Sequence, residues 1–106
     1  MKHEIIVQKL LGCTDKILTY CAGMDYDAFS KNTMLTEACV FNLGQMGELV
    51  NHLEKDFTDA HPDIPWRYLY GLRNRIVHDY EGVNLQLIWE IIHDDLPRLR
   101  DQLQRI

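Results

Sequence analysis

Residues 73–80, RNRIVHDY, bring an arginine, an amide, a histidine and a tyrosine into one short stretch of the chain. A histidine titrates near neutral pH and can therefore remove or deliver a proton during a reaction. An arginine presents a planar fork of donors that fits phosphate oxygens and stays charged as negative charge builds up in a transition state. These residue types suit cleavage of RNA by attack of its own 2′-hydroxyl group on the adjacent phosphate, a reaction that requires no metal ion.

The positions of these side chains on an ideal helix determine which of them can act together. At about 100° per residue, Asn74 and His78 are about 40° apart, whereas Arg73 and His78 are about 140° apart. Asn74 can therefore hydrogen-bond the His78 imidazole and hold its orientation. A tight contact between Arg73 and His78 requires a distorted helix end, or a second copy of the chain that apposes its own motif across a two-fold axis.

A purely structural interpretation of the octapeptide stays open on spacing alone. In that interpretation Arg73 pairs with a carboxylate, His78 caps a helix end and Tyr80 packs at the edge of the core. An arginine and a histidine at this spacing often occur by chance. The octapeptide therefore needs support from the rest of the chain.

Length and composition indicate one globular domain over residues 1–106. A chain of 106 residues supports a single core, and its 46% hydrophobic and 25% charged residues are typical of globular proteins. Its apolar runs are far shorter than the roughly 20 residues that span a bilayer. The first residues, MKHEIIVQKLLGCTDK, lack the uninterrupted apolar stretch of a signal peptide. We therefore expect a cytoplasmic protein with no membrane contact.

The net charge of −5 argues against a protein whose whole surface binds nucleic acid, so we expect any such contact to be local. Residues 64–78 contain no acidic residue. This is the stretch in which cations and aromatic rings are interleaved: Trp66, Arg67, Tyr68, Tyr70, Arg73, Arg75 and His78.

Hydrophobic periodicity predicts an all-α fold, an antiparallel four-helix bundle with one short extra helix. The predicted helices cover residues 3–22, 25–32 (short), about 34–57, about 66–79, and a last helix from the cap Asn84 to Leu103. Pro97 should kink the last helix rather than end it, because the apolar stripe continues on both sides. Gly44 and Gly47 share a face of the second long helix and predict close approach of another backbone.

The cysteines and histidines give no sign of a disulfide framework or a metal site. Cys13, Cys21 and Cys39 contain no C-x-x-C pair, and Cys13 and Cys21 would lie about 12 Å apart along one helix. We expect three reduced, buried thiols. The histidines show no zinc-binding spacing, so neither a metal nor another cofactor is expected.

The octapeptide and its surroundings resemble the HEPN superfamily, in particular HepT-type toxins. RNRIVHDY matches that family's motif of arginine, any four residues, histidine, any residue and tyrosine. IPW before the motif, NLGQMGEL in the preceding helix and VNLQLIWEIIHDDLP after it also look like the family. The resemblance covers roughly residues 36–104.

The resemblance implies a HEPN-like homodimer, or a higher oligomer, that acts as a metal-independent endoribonuclease toxin of a type VII-like toxin–antitoxin module. Arg73 and His78 would be the catalytic pair, with Asn74 and Glu48 in support. Glu48 falls at the family's "GE" step, where it either orients Arg73, forms an ordinary ion pair or is exposed to solvent. Tyr80 matches the tyrosine to which a separate nucleotidyltransferase antitoxin, MntA-like, adds AMP. Such a bulky anion would block the cleft and repel RNA phosphates.

Two other functions stay open for this sequence. One is a non-catalytic HEPN module that binds a nucleotidyltransferase and is modified by it, which the acidic net charge favours. The other is a plain helical scaffold, in which substitutions in the octapeptide change only stability.

Overall fold

Periodic apolar positions separated by capping residues and prolines produce a chain of helices. The computed structural model describes residues 2–76 and 84–106, and the regular structure in these ranges is entirely helical. The elements are α1 (Lys2–Tyr20), α2 (Tyr26–Lys31), α3 (Thr33–Asn51), α4 (Lys55–Asp59), α5 (Trp66–Tyr70), α6 (Leu72–Ile76), α7 (Leu85–Glu90), a π-helical turn (Ile91–Asp95) and α8 (Leu96–Gln104). The predicted all-α fold class is confirmed. Among the described residues, no helix combines the length and the apolar character needed to cross a bilayer.

Asparagine side chains fix the starts of two helices. The Asn32 side chain accepts a hydrogen bond of 3.0 Å from the Leu35 N–H at the start of α3. Asn84 accepts one of 3.0 Å from the Leu87 N–H at the start of α7. Each satisfies a backbone donor that has no partner inside the helix. The predicted cap at Asn84 is therefore confirmed.

Helix α3 occupies the centre of the packing. It lies against α1 on one side and against α5 and α6 on another, and α1 also packs against α8. The side chains that meet between these helices are fully buried and apolar: Leu10, Ile17, Leu43, Met46, Leu69, Leu72, Ile76, Leu96 and Leu103. Because α5 and α6 rest on α3, the face of α3 determines the surroundings of the motif that α6 begins.

The predicted helix over residues 34–57 is wrong at its C-terminal end. Helix α3 ends at Asn51, Glu54 has extended backbone angles (φ −77°, ψ 151°), and α4 starts a new helix at Lys55. This break lets Phe57 stack on the His3 ring at a centroid distance of 4.5 Å. The apolar period thus continues to Phe57 across the break, although Phe57 is only half-buried and belongs to a separate helix.

The last helix continues through Pro97, as predicted, and a π-helical turn precedes the proline. The Leu96 N–H donates to the carbonyl of Ile91, five residues earlier. Pro97 lacks an N–H, and in a regular helix its ring would collide with the carbonyl of His93, four residues earlier. A wider π turn relieves this collision while the helix continues into α8.

Two of the three cysteines form a buried pair that the sequence did not predict. The sulfurs of Cys21 and Cys39 lie 3.7 Å apart, where the end of α1 meets α3. All three thiols are free, and Cys13 is half-buried rather than buried. Burial, followed by the neighbouring Cys21, raises the pKa of Cys39 to about 12. This thiol is therefore a protonated core residue at neutral pH.

Candidate active site

The motif begins in a helical segment that is interrupted at Gly71. Helices α5 and α6 replace the first part of the single helix predicted over residues 66–79, and Gly71 between them has φ −85° and ψ 0°. Backbone hydrogen bonds continue across the interruption, from Gly71 N–H to the Arg67 carbonyl and from Arg75 N–H to the Gly71 carbonyl, both 3.1 Å. The remainder of that prediction, residues 77–79, lies outside the described residues.

Gly47 sets the distance between α3 and α5. A Cβ atom at this position would lie 3.2 Å from the carbonyl oxygen of Leu69 and 3.3 Å from that of Tyr70. These distances are tighter than most Cβ contacts in proteins, so any other residue would push the two backbones apart, whereas glycine allows the approach. Gly44, one turn earlier, would meet nothing within 4 Å. The predicted close approach is therefore correct at Gly47 and wrong at Gly44, which borders open space instead.

That space is a pocket of about 160 Å³ between α3 and the α5–α6 segment. Helix α3 and the α5–α6 segment line it with Gly44, Gly47, Glu48, Asn51, Tyr70, Arg73 and Asn74. Three of the predicted site residues, Arg73, Asn74 and Glu48, thus meet at one opening. His78 and Tyr80 lie outside the described residues, so the pairing of Arg73 with His78 and the modification of Tyr80 stay predictions.

The charged side chains of this pocket are exposed to solvent. Within residues 2–76 and 84–106, Arg73 and Glu48 form no ion pair with each other or with a third residue. A role for Glu48 in orienting Arg73 therefore stays a prediction. The same part of the chain includes no group of three or more histidine, cysteine or acidic residues that could hold a metal ion.

A second arginine of the motif, Arg75, has a different environment. Its guanidinium carbon lies 4.8 Å from the centre of the Tyr68 ring, a cation–π distance. The Tyr68 hydroxyl donates a hydrogen bond to the Asp95 carboxylate in the π-helical turn. Burial and the adjacent Asp95 raise the pKa of Tyr68 to about 12, against the opposite effect of Arg75. Two of the interleaved cations, Arg73 and Arg75, therefore have different surroundings: Arg73 lines the pocket beside Tyr70, and Arg75 lies over the ring of Tyr68.

Two residues that line the pocket, Tyr70 and Asn51, had no predicted role in the site. The Tyr70 side chain is 58% exposed and stands at the edge of the opening. Helical spacing could have indicated both residues, because Tyr70 precedes Arg73 by three positions and Asn51 follows Glu48 by three. What the sequence does not give is which side of each helix faces the other.

The helical bundle, with the arginine and asparagine of the motif at an open pocket, agrees with the HEPN class that the sequence motifs implied. Residues 10–106 match the family model described as Ribonuclease HepT-like. The chain belongs to this HepT-like ribonuclease family.

Relatives with ribonuclease names match most of the chain. A protein of Caldanaerobacter subterraneus subsp. tengcongensis named "Putative RNase" is 38% identical over 84 residues, which are 79% of this chain and 75% of the relative. The "Probable ribonuclease HepT" of Thermococcus cleftensis is 31% identical over 104 residues, 98% of this chain and 94% of the relative. No solved structure matches the chain significantly.

Proposed function

We propose that this chain is a cytoplasmic, metal-independent endoribonuclease toxin of a type VII-like toxin–antitoxin module, with Arg73 and His78 as its catalytic pair. The observation that carries the proposal is the Arg73 guanidinium, which is exposed at an open pocket beside Asn74. A charged group that the fold leaves solvated is available to bind a phosphate. The ribonuclease names of the relatives support the same reaction class.

The reaction would be a transesterification within the RNA. The 2′-oxygen attacks the adjacent phosphorus, a bond from O2′ to phosphorus forms, and the bond from phosphorus to O5′ breaks. The His78 imidazole takes the 2′-hydroxyl proton or donates a proton to the departing 5′-oxygen. Arg73 donates hydrogen bonds to the non-bridging oxygens, where negative charge builds up. The products are a 2′,3′-cyclic phosphate and a 5′-hydroxyl end.

A homodimer would supply two His78 side chains to one cleft, so that one could accept a proton and the other could donate one. On α3, the side chains of Met34 and Phe41 are 84% and 65% exposed. They lie within about 40° of Glu48 on an ideal helix, so an apolar surface adjoins the charged pocket. Large exposed apolar side chains of this kind favour contact with another protein surface. A two-fold axis beside this face would bring two pockets together around one RNA strand.

Tyr80 would be the regulated position of the module. It follows His78 by two residues, so AMP attached by an MntA-like nucleotidyltransferase would place a bulky anion near the catalytic histidine. Such an adduct would obstruct the cleft and repel RNA phosphates. Mass spectrometry after co-expression with the nucleotidyltransferase should detect the adduct on Tyr80. An adduct on a protein that is inactive before modification would favour the non-catalytic alternative.

Cleavage assays on the purified protein test the proposed function. We expect RNA cleavage in excess EDTA and a loss of at least about 100-fold in Arg73→Ala and His78→Ala, because each removes a group that acts in the transition state. Growth arrest on expression should disappear in the same variants. Arg67→Ala, which removes an exposed arginine of α5 outside the pocket, is the matched control. Full activity in both motif variants would overturn the site.

A further inference from the structure

The pocket beside Arg73 contains a carboxylate, which a site for phosphate alone would not contain. Glu48 lines the same opening, and a carboxylate there would repel the phosphate that Arg73 attracts. A ligand that satisfies both must present negative charge to one side of the pocket and hydrogen-bond donors to the other. A nucleotide does this, because its phosphate is anionic and its base carries N–H groups.

Tyr70 adds a flat surface at the edge of this pocket. Its side chain is 58% exposed, whereas Tyr68, two residues earlier, is half-buried and hydrogen-bonded to Asp95. Proteins that bind single-stranded nucleic acids often place an exposed aromatic ring beside an arginine. The base stacks on the ring, and the cation holds the phosphate.

We propose that this pocket is a nucleobase subsite for guanine in single-stranded RNA, next to the phosphate that Arg73 holds; this inference rests on the proposed function. Glu48 offers two acceptor oxygens and no donor. Guanine is the RNA base whose Watson–Crick edge presents two adjacent donors, N1–H and the N2 amino group. The Asn51 amide can donate to guanine O6, and Tyr70 stacks on the ring.

Gly44 provides the space for the base. A Cβ atom there would meet no other atom within 4 Å, so position 44 borders open space. A leucine at this position would extend into the pocket, which Gly44 lines. Gly12 in α1 also has nothing within 4 Å, which makes Gly12→Leu the matched control.

Binding to oligonucleotides that cannot be cleaved tests the subsite separately from catalysis. The probes are fluorescent 2′-O-methyl oligouridines with one guanosine, one inosine or no purine, measured by anisotropy. We expect the guanosine probe to bind at least about tenfold more tightly than the other two, because inosine lacks the N2 amino group and the lost hydrogen bond has a charged acceptor. Glu48→Ala, which removes both acceptor oxygens, should remove the difference between guanosine and inosine.

Tyr70 and Gly44 variants test the rest of the subsite. Tyr70→Ala should weaken all three probes about tenfold, because stacking depends little on base identity, and Tyr70→Phe should restore binding. Tyr20→Ala, which removes a tyrosine 45% exposed at the end of α1, should change nothing. Gly44→Leu should abolish binding, whereas Gly12→Leu should not.

Four outcomes test the subsite and the proposed function separately. Equal binding of all three probes by the parent protein would overturn the subsite, and so would discrimination that survives Glu48→Ala. Cleavage of cellular RNA with no guanine enrichment at the cut sites would keep the ribonuclease and reject the subsite. Guanine-selective binding without cleavage of any RNA would keep the subsite and reject the ribonuclease.

Discussion

Arg73 and Arg75 stand two residues apart in α6 and have opposite surroundings. On a helix they point about 200° apart, so they face different parts of the fold. Arg75 lies over the ring of Tyr68, which in turn donates to Asp95. Arg73 lines the pocket against α3 and forms no ion pair within the described residues.

Surroundings, rather than residue type, separate an arginine that is available to a ligand from one that the fold holds in place. The groups around Arg75 are satisfied by the fold and contribute to its stability. Arg73 contributes little to stability, because it stays solvated in the folded protein as in the unfolded chain. Its hydrogen-bonding capacity is left for a ligand.

The largest expected effect comes from exchanging Arg73 for lysine. Arg73→Lys keeps the charge but loses the planar fork that holds two phosphate oxygens. The loss of one hydrogen bond to a charged group, about 1.5–3 kcal/mol, should lower kcat/KM for RNA cleavage about 10- to 150-fold. The melting temperature should stay unchanged. The measurement is single-turnover cleavage alongside thermal denaturation.

Arg75→Lys is the control for that exchange. A lysine can still place its charge over the Tyr68 ring, so activity should remain within about twofold of the parent. Equal loss of activity in the two lysine variants would break the comparison, since both arginines would then serve the RNA.

The two glycines of α3 give the next effect. Gly47→Ala forces a Cβ atom against two backbone carbonyls, at 3.2 and 3.3 Å. Overpacking costs about 1–3 kcal/mol, and the better helix propensity of alanine returns up to about 1 kcal/mol. We expect a net destabilisation of about 1–2 kcal/mol in urea denaturation.

Gly44→Ala is the matched variant, because its Cβ atom enters open space. It should stabilise the protein by up to about 1 kcal/mol through helix propensity alone. If Gly44→Ala also destabilised the protein, position 44 would be packed and the pocket would not be open.

The elements of the fold that depend on local sequence could be predicted, and those that depend on contacts across the chain could not. The caps at Asn32 and Asn84 use a side chain and a backbone N–H three residues apart. The interruption at Gly71 and the end of α3 at Asn51 lie inside stretches for which the sequence predicted single helices. Periodicity identifies the buried residues of a helix but does not reveal a break between two helices that keep the same period.

The candidate site divides in the same way. The motif identified Arg73 and Asn74, and the "GE" step identified Glu48, all of which line the pocket. The sequence could not separate Arg73 from Arg75, because the hydrogen bond from Tyr68 to Asp95 joins residues 27 positions apart. Such a contact is set by the packing of α5 against the π-helical turn.

Removal of the Tyr68 hydroxyl should have a smaller effect, about 1 kcal/mol for Tyr68→Phe, since Asp95 is partly exposed and regains water. The effect should depend on pH. The pKa of Tyr68 is raised from 10.0 to about 12 in the folded protein. The folded state therefore holds the proton more tightly than the unfolded state, and this stabilisation is complete below pH 10.

The difference in stability between the parent and Tyr68→Phe should therefore decrease as the pH rises from about 10 through 12. Urea denaturation at pH 8 and at pH 11.5 measures it. A difference that does not change with pH would mean that Tyr68 titrates alike in both states. Tyr68 would then not be the stabilising partner of Arg75 that the comparison of the two arginines requires.

The smallest expected effect tests whether an ion pair that is exposed to solvent contributes to the stability of the fold. Lys31 and Asp27 form an ion pair of 3.1 Å in α2, with side chains 75% and 73% exposed. Exposed pairs of this spacing contribute about 0.3–0.5 kcal/mol, and salt screens them. Lys31→Gln should therefore destabilise the protein by no more than this at low salt, and by nothing measurable in 1 M NaCl.

Lys9→Gln in α1, where the described residues provide no ion pair, is the control. A loss of stability as large as that of Tyr68→Phe would mean that an exposed ion pair stabilises the fold as much as a half-buried hydrogen bond does. Burial would then not be needed to explain the difference between Arg73 and Arg75.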